Sequence, residues 1–178
     1  MSIDSTLFRQ VMRRFPTGVT ILTVRDGDQI HGMTANAFTS VSLEPTLVLV
    51  CITKTNTTHR FVSRAKHYAL NILGEHQENL AKRFAHQVDA PANPFVDVPY
   101  HVEKTGAPIL DDCMAYLDCR VVAAHKAGDH TIFVGEVLAA GFGKRHDDDP
   151  LLYLDGYYAS LDKREESTLL LPDHSIAP

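Results

Sequence analysis

Between residues 32 and 42 the chain reads Gly-Met-Thr-Ala-Asn-Ala-Phe-Thr-Ser-Val-Ser. Thr34, Asn36, Thr39, Ser40 and Ser42 put small hydroxyl and amide groups along a strand that carries almost no charge. Such a face suits the polar edge of a neutral heterocycle, whose carbonyls and ring nitrogens need donors at close range. An edge strand turned to water has the same composition. A second run, Cys51-Ile-Thr-Lys-Thr-Asn-Thr-Thr-His59, ends an apolar strand in hydroxyls and an amide where a helix begins. The free N–H groups of a first helical turn attract an anion, Thr55, Thr57 and Thr58 add donors, and Lys54 adds a positive charge. Plain N-capping asks for the same residue types. A third run, Gly128-Asp-His-Thr-Ile-Phe-Val-Gly-Glu136, sets His130 at the mouth of a hairpin, where it can orient a substrate near neutral pH. Glu136 stands at an even spacing from it, on the same strand face. A lone histidine is more often structural. Gly156-Tyr157-Tyr158 offers either an aromatic lid or strand packing.

The glycine fingerprints of nucleotide sites, G-x-x-x-x-G-K-[ST] and G-x-G-x-x-G, are missing, so any dinucleotide is held by another device. Cys51, Cys113 and Cys119 are odd in number and lie in apolar segments, which reads as buried reduced thiols. The ten histidines form no H-E-x-x-H pair and no compact cluster, so no metal is expected. A formal charge of −5 without a long basic run argues against nucleic acid as a partner. The N-terminus lacks a signal-peptide stretch and the most apolar segment, 47–52, is too short to cross a bilayer. A soluble, cytoplasmic protein away from membranes is the expectation.

These groups need elements to position them. Leu7, Phe8, Val11, Met12 and Phe15 predict an amphipathic helix over 4–15, capped by Asp4 or Ser5 and stopped by Pro16. Strands are predicted at 19–24 and 30–38 around the Asp26-Gly27-Asp28 turn, and at 46–53, the last buried on both faces. A helix over 57–65, a strand over 68–73 and a helix over 77–85 follow. Residues 87–101 read as a surface loop. Two long strands meet at a hairpin turn at Gly128-Asp129. A last strand covers 151–158. One domain over 1–161 and a flexible polar tail over 162–178 are expected. Long strands joined by short turns favour a closed or nearly closed barrel over a helix-alternating parallel sheet.

Taken in order, FRQVMRRFPTGVTILT (8–23), GMTANAFTSVSLEPTLVLVCI (32–52), HYALNIL (67–73), LAKRFA (80–85), GDHTIFVGEV (128–137) and PLLYLDGYY (150–158) resemble the flavin reductase-like family. The resemblance runs from about residue 8 to residue 161. It implies a mainly β fold with flanking helices, the FMN-binding split barrel, six-stranded, antiparallel and Greek-key-like. It also implies a homodimer with flavin sites near the subunit interface. The implied activity is an NAD(P)H-dependent reduction of FMN or FAD by hydride transfer, in the reductase component of a two-component flavin-dependent monooxygenase. The partner implied is a separate monooxygenase. By the same resemblance Thr34, Ala35, Asn36 and Ala37 line the flavin ring, with Ser40 and Val41 close by. Cys51, Ile52 and Thr53 lie along its other edge, Thr57 and Thr58 approach the phosphate, and Arg83 and Phe84 meet the flavin's tail. His130 is the implied catalytic residue at the nicotinamide side, with Asp129 beside it and Tyr157 a weaker candidate. FMN or FAD, and NADH or NADPH, stay open at this stage, because loops 86–101 and 143–149 match nothing. A flavoprotein of the same fold holding FMN tightly for another redox or sensing role is the alternative. An interaction domain built on the same barrel is a further one.

Overall fold

Short-range chemistry sets most element ends. The computed structural model describes residues 3–87, 91 and 93–161. The expected tail over 162–178 and part of the 87–101 loop lie outside the described residues. Helix α1 (Ser5–Met12) starts at Asp4, whose carboxylate accepts from the Leu7 N–H at 3.1 Å. The chain then forms β1 (Thr17–Gly18), β2 (Thr20–Asp26), β3 (Gln29–Ala35), β4 (Phe38–Leu43) and β5 (Thr46–Thr53). Helix α2 (Thr57–Ala65) starts at Asn56, whose side chain accepts from the Thr58 N–H at 2.8 Å. After β6 (His67–Ile72) and a short 3-10 turn comes α3 (Glu78–Phe84). Then follow β7 (Tyr100–Val102), β8 (Pro108–Leu110), β9 (Ala115–Ala127), β10 (His130–Phe142), β11 (Leu152–Leu154) and β12 (Tyr157–Ala159). Gly128, at φ +57°, opens the two-residue turn between β9 and β10.

Seven strands form one antiparallel sheet in the order β3-β2-β6-β9-β10-β5-β4. Strands β3 and β4 sit at opposite edges of that order, yet only Asn36 and Ala37 separate them in the chain. Ala35 and Phe38 are three steps apart and can be separated by at most about 11 Å. The sheet must therefore curl until its edges come together at this corner, which closes a barrel, and the Cys51 N–H bond to the Ala37 carbonyl at 2.9 Å carries the β4–β5 ladder up to the bend. Counted as one bent strand, β3 and β4 make the wall six strands round, as the resemblance implies. Strands β1, β11 and β12 form a small separate sheet, and β7 pairs with β8.

Three expectations need correction. The predicted strand over 30–38 ends at Ala35 because the wall turns a corner there. The predicted strand over 151–158 is two strands, parted by Asp155 and Gly156, both at positive φ. Strand β5 is not buried on both faces: Val48, Val50 and Ile52 enter the core while Leu47, Leu49, Cys51 and Thr53 stay half-buried. Double burial belongs to β2. Its Leu22 and Val24 join Val50, Ile52, Tyr68, Leu70, Cys119 and Phe133 inside the barrel. Its Ile21 joins Val19, Leu73, Phe84, Phe95 and Leu110 in a second core outside the wall. Asn71 and Asp118, buried in this region, are paired, as low dielectric requires. Asn71 donates to the Ile21 carbonyl at 3.0 Å and accepts from the Leu110 N–H at 2.8 Å, and Asp118 accepts from the Thr105 N–H at 2.8 Å.

Candidate functional site

Three neighbouring cavities run from the bend at Asn36-Ala37 along β3. An apolar one of about 490 Å³ lies between α1 and the wall, lined by Phe8, Met12, Ala37, Thr39, Cys51 and Tyr153 among others. A second, of about 380 Å³, lies along β3 between the start of α2 and the end of α3. Its lining includes His31, Thr34, Asn56, Thr57, Phe84 and His86. A third, of about 180 Å³, bridges them through Thr34, Asn36, Tyr153 and Tyr158. The result is one groove with an apolar end, rimmed by Arg9 and Arg13, and a polar end that carries His31 and His86.

Pairing register explains which side chains face the apolar end. Residues directly opposite in an antiparallel pair point the same way. Strand β10 pairs with β5 so that His130 stands opposite Thr53, Ile132 opposite Cys51 and Val134 opposite Leu49. His130 thus shares a face with Cys51 and Leu49, about 7 Å along the strand from Cys51. Ile52, on the opposite face, is fully buried in the barrel and offers the groove only its backbone. Ala35 is likewise turned into the barrel core. On β4 it is Phe38 and Thr39 that line the groove. Ser40 and Val41 are exposed and line none of the three cavities.

His130 sits in a short hydrogen-bonded chain. Its Nδ1 lies 2.8 Å from the Asp129 carboxylate and its Nε2 lies 2.9 Å from the Thr53 hydroxyl. A carboxylate only accepts, so Nδ1 carries the proton and, in the neutral ring, Nε2 accepts from Thr53. The hydrogen bond from His130 holds the Asp129 carboxyl below its ordinary range. Lys54, read in the sequence as a charge for a phosphate, donates instead to the Gly128 carbonyl. Nearby, His59 Nε2 lies 2.8 Å from the Thr131 hydroxyl, and burial first, then Lys54, lowers its pKa.

At the polar end, Thr34 donates to the Ala81 carbonyl at 2.6 Å, tying β3 to α3. Gly32 allows this approach: a Cβ there would lie 2.7 Å from Phe84 Cε1. Phe84 is nearly fully buried, edge-on to Phe95 at 5.1 Å, and floors the cavity. Arg83 donates to the Val96 carbonyl, and its Nε finds no partner among the described residues. Thr58 is fully buried, its hydroxyl also without a partner among them. Tyr157 is 75% exposed on β12, and it is Tyr153 and Tyr158 that reach the groove.

Sequence reasoning therefore found Thr34, Asn36, Ala37, Cys51, Thr57 and Phe84 in the groove and the Thr53-Asp129-His130 group beside it. It missed His31, His86, Tyr153 and the α1 face. The α1 periodicity was visible, but nothing in it says that the apolar stripe borders a cavity.

An apolar end edged by Asn36 and Thr39 and a polar end at a helix start fit a fused ring carrying an anionic tail. Comparison with known proteins agrees. Residues 12–162 match the family described as flavin reductase like domain. The chain is 38% identical over 161 residues to an FMN reductase (NADH), SmoA, of Agrobacterium fabrum, covering 90% of this chain and 88% of that protein. It is 40% identical over 156 residues to the reductase component of a 4-nitrophenol 4-monooxygenase/4-nitrocatechol 2-monooxygenase of Rhodococcus opacus, covering 88% and 80%. Among solved structures, the NADH:FAD oxidoreductase SgcE6 of Streptomyces globisporus C-1027, in complex with NAD and FAD fragments, superposes with a TM-score of 0.81. It is 36% identical, with 89% of this chain and 93% of that chain covered.

Proposed function

This chain belongs to the flavin reductase like family, and on that footing we propose how its own residues perform the NADH-dependent reduction of FMN or FAD. Flavin taken into the groove supplies the hydride acceptor and NADH the donor, so the reaction's electronics belong to the ligands. The chain supplies position. Asn36 and Ala37 at the bend, with Cys51 across from them, hold the ring, and Thr34, its hydroxyl tied to α3, braces β3 between ring and tail. Asn56 and Thr57 hold the tail, with Phe84 as floor. His130, its Nδ1 proton fixed by Asp129 and its Nε2 by Thr53, orients the nicotinamide from the same face of the sheet as Cys51. Hydride transfer needs donor and acceptor at roughly 3–3.5 Å in aligned planes, and no general acid. His130 is thus read as a group that orients substrate.

The observation that carries this reading is the groove's two-part character: an apolar cavity at the bend joined to a smaller polar one at the start of α2. Reduced flavin is released to a separate monooxygenase, as the relative named a reductase component suggests. A homodimer is part of the proposal. Helix α1 buries none of its residues, and Leu7, Phe8, Val11 and Met12 are each 49–59% exposed. A second copy covering that stripe would also wall the apolar cavity. No helix among the described residues is long and apolar enough to cross a membrane. A cytoplasmic setting, where NADH is at hand, completes the proposal.

The test is steady-state NADH oxidation by dialysed protein with FMN, FAD or riboflavin added back. Turnover that depends on added flavin is expected. A yellow protein that resists dialysis and consumes no NADH would replace this reading with a resident-flavin role.

A further inference from the structure

Resting on the groove as a flavin site, we propose that His31 and His86 form an imidazole pair that selects flavins by their anionic tail, favouring FMN and FAD over riboflavin. Both line the cavity at the free edge of β3, His31 from the strand and His86 from just beyond α3, with Asn56 and Thr57 beside them. The His31 ring is stacked on Phe61 of α2, with centroids 5.0 Å apart and planes 24° apart, which fixes its direction. His86 closes α3 at φ +54°, the left-handed conformation that ends a helix, and the Gln87 N–H bond to the Lys82 carbonyl at 3.0 Å fixes it there.

The charges around the pair point one way. Burial first, then His86 and Arg60, lower the His31 pKa below its ordinary 6.5. On the elements packed against β3, Asp26 is paired with Arg64 at 3.0 Å, and Glu78 is paired with Lys82 at 2.5 Å. Arg25 donates to the Gly106 carbonyl and Arg83 to that of Val96, so neither guanidinium is available to the cavity in the way the two imidazoles are. His86 and Arg60 act on His31 as like charges until an anion arrives. A phosphate or diphosphate reverses that balance and draws protons onto the imidazoles. The sign follows: affinity for a phosphorylated flavin rises as pH falls from 8 towards 6.5. For FMN it levels off below about 6, where the phosphate itself takes a proton. FAD, whose diphosphate lacks that step, keeps gaining. Riboflavin has no tail charge and stays flat.

Dissociation constants for FMN, FAD and riboflavin, read by flavin fluorescence between pH 5.5 and 8, test this on the whole chain, His31→Gln and His86→Gln. In the unaltered protein the riboflavin-to-FMN ratio of dissociation constants is expected to fall several-fold from pH 6.5 to 8. Each substitution is expected to cut that ratio about tenfold at pH 6.5, the scale of one charge-assisted hydrogen bond. Ratios that ignore both substitutions overturn the proposal. So does equal weakening of FMN and riboflavin, which marks damage to the groove and not tail recognition. Imidazole NMR titration of the unaltered protein needs no variant: the His31 pKa should rise with FMN and not with riboflavin, and no rise overturns the pair. Failure of all three flavins to bind would instead bring down the flavin site itself.

Discussion

Asp129 accepts and cannot donate while ionised, and that fact makes His130 a directed group. His130→Ala is expected to slow single-turnover flavin reduction by NADH about 10- to 100-fold, the cost of a misplaced reactant. Flavin affinity should move far less, and an unchanged rate would remove His130 from the site. Asp129→Asn should slow the step less, because an amide still hydrogen-bonds the ring but no longer dictates which nitrogen holds the proton. The thiols separate by environment in the same way. Burial pushes Cys113 up to about 11 and Cys119 up to about 12, so both are protonated and enclosed at pH 8. A disulfide reagent should find only Cys51 in the native protein, and added flavin should shield it; three reactive thiols would contradict the burial described here. At this scale the sequence was legible where residue type alone carries the chemistry, as in Thr34, Asn36 and Thr57. It was not legible where strand parity decides: Thr39 faces the groove and Ser40 does not, and Cys51 does while Ile52 does not. His31 and His86 belong to no short motif, and only the fold brings them together.

Elements hold these side chains through few contacts, and two are exposed to simple tests. Gly32→Ala sets a methyl 2.7 Å from the Phe84 ring, inside the second core. Overpacking of this kind costs about 1–3 kcal/mol, seen as a lower denaturant midpoint, and flavin affinity should fall with it as the cavity floor shifts. Asn56→Ala removes the cap of α2, which costs about 1 kcal/mol and loosens the helix start that faces the cavity. Helix α2 and strand β5 were readable to the residue, since a cap and a β-branched run announce them. The corner between β3 and β4 was not, because Asn36-Ala37 contains neither glycine nor proline and lies in a continuous strand-like run. Asp155-Gly156 was a turn signal hidden between apolar residues. The double burial assigned to β5 belongs to β2, where Thr20 and Thr23 disguise a strand buried on both sides.

For the whole molecule, α1 is the feature that a lone chain leaves unexplained. An apolar side chain removed from water stabilises by about 1.5–3 kcal/mol, and the stripe presents several. Leu7→Glu with Val11→Glu, neither of which lines the groove beside Cys51, should raise the dimer dissociation constant roughly 100-fold or more by sedimentation. No change in mass would dismiss the interface. The stripe was legible as amphipathic, but amphipathicity declares that a surface is covered and not by whom. The barrel itself was legible from long strands and short turns, while its closure follows only from the order of the strands. A cylinder rolled from one sheet has a single seam, and here the seam runs along the groove, at the corner joining β3 to β4. An occupant touching both banks acts as a rivet. Amide exchange in β3 and β4 should therefore slow on flavin loading, with little change in β6 and β9 far round the wall, and discharge of the reduced product would unpin the joint it had fastened.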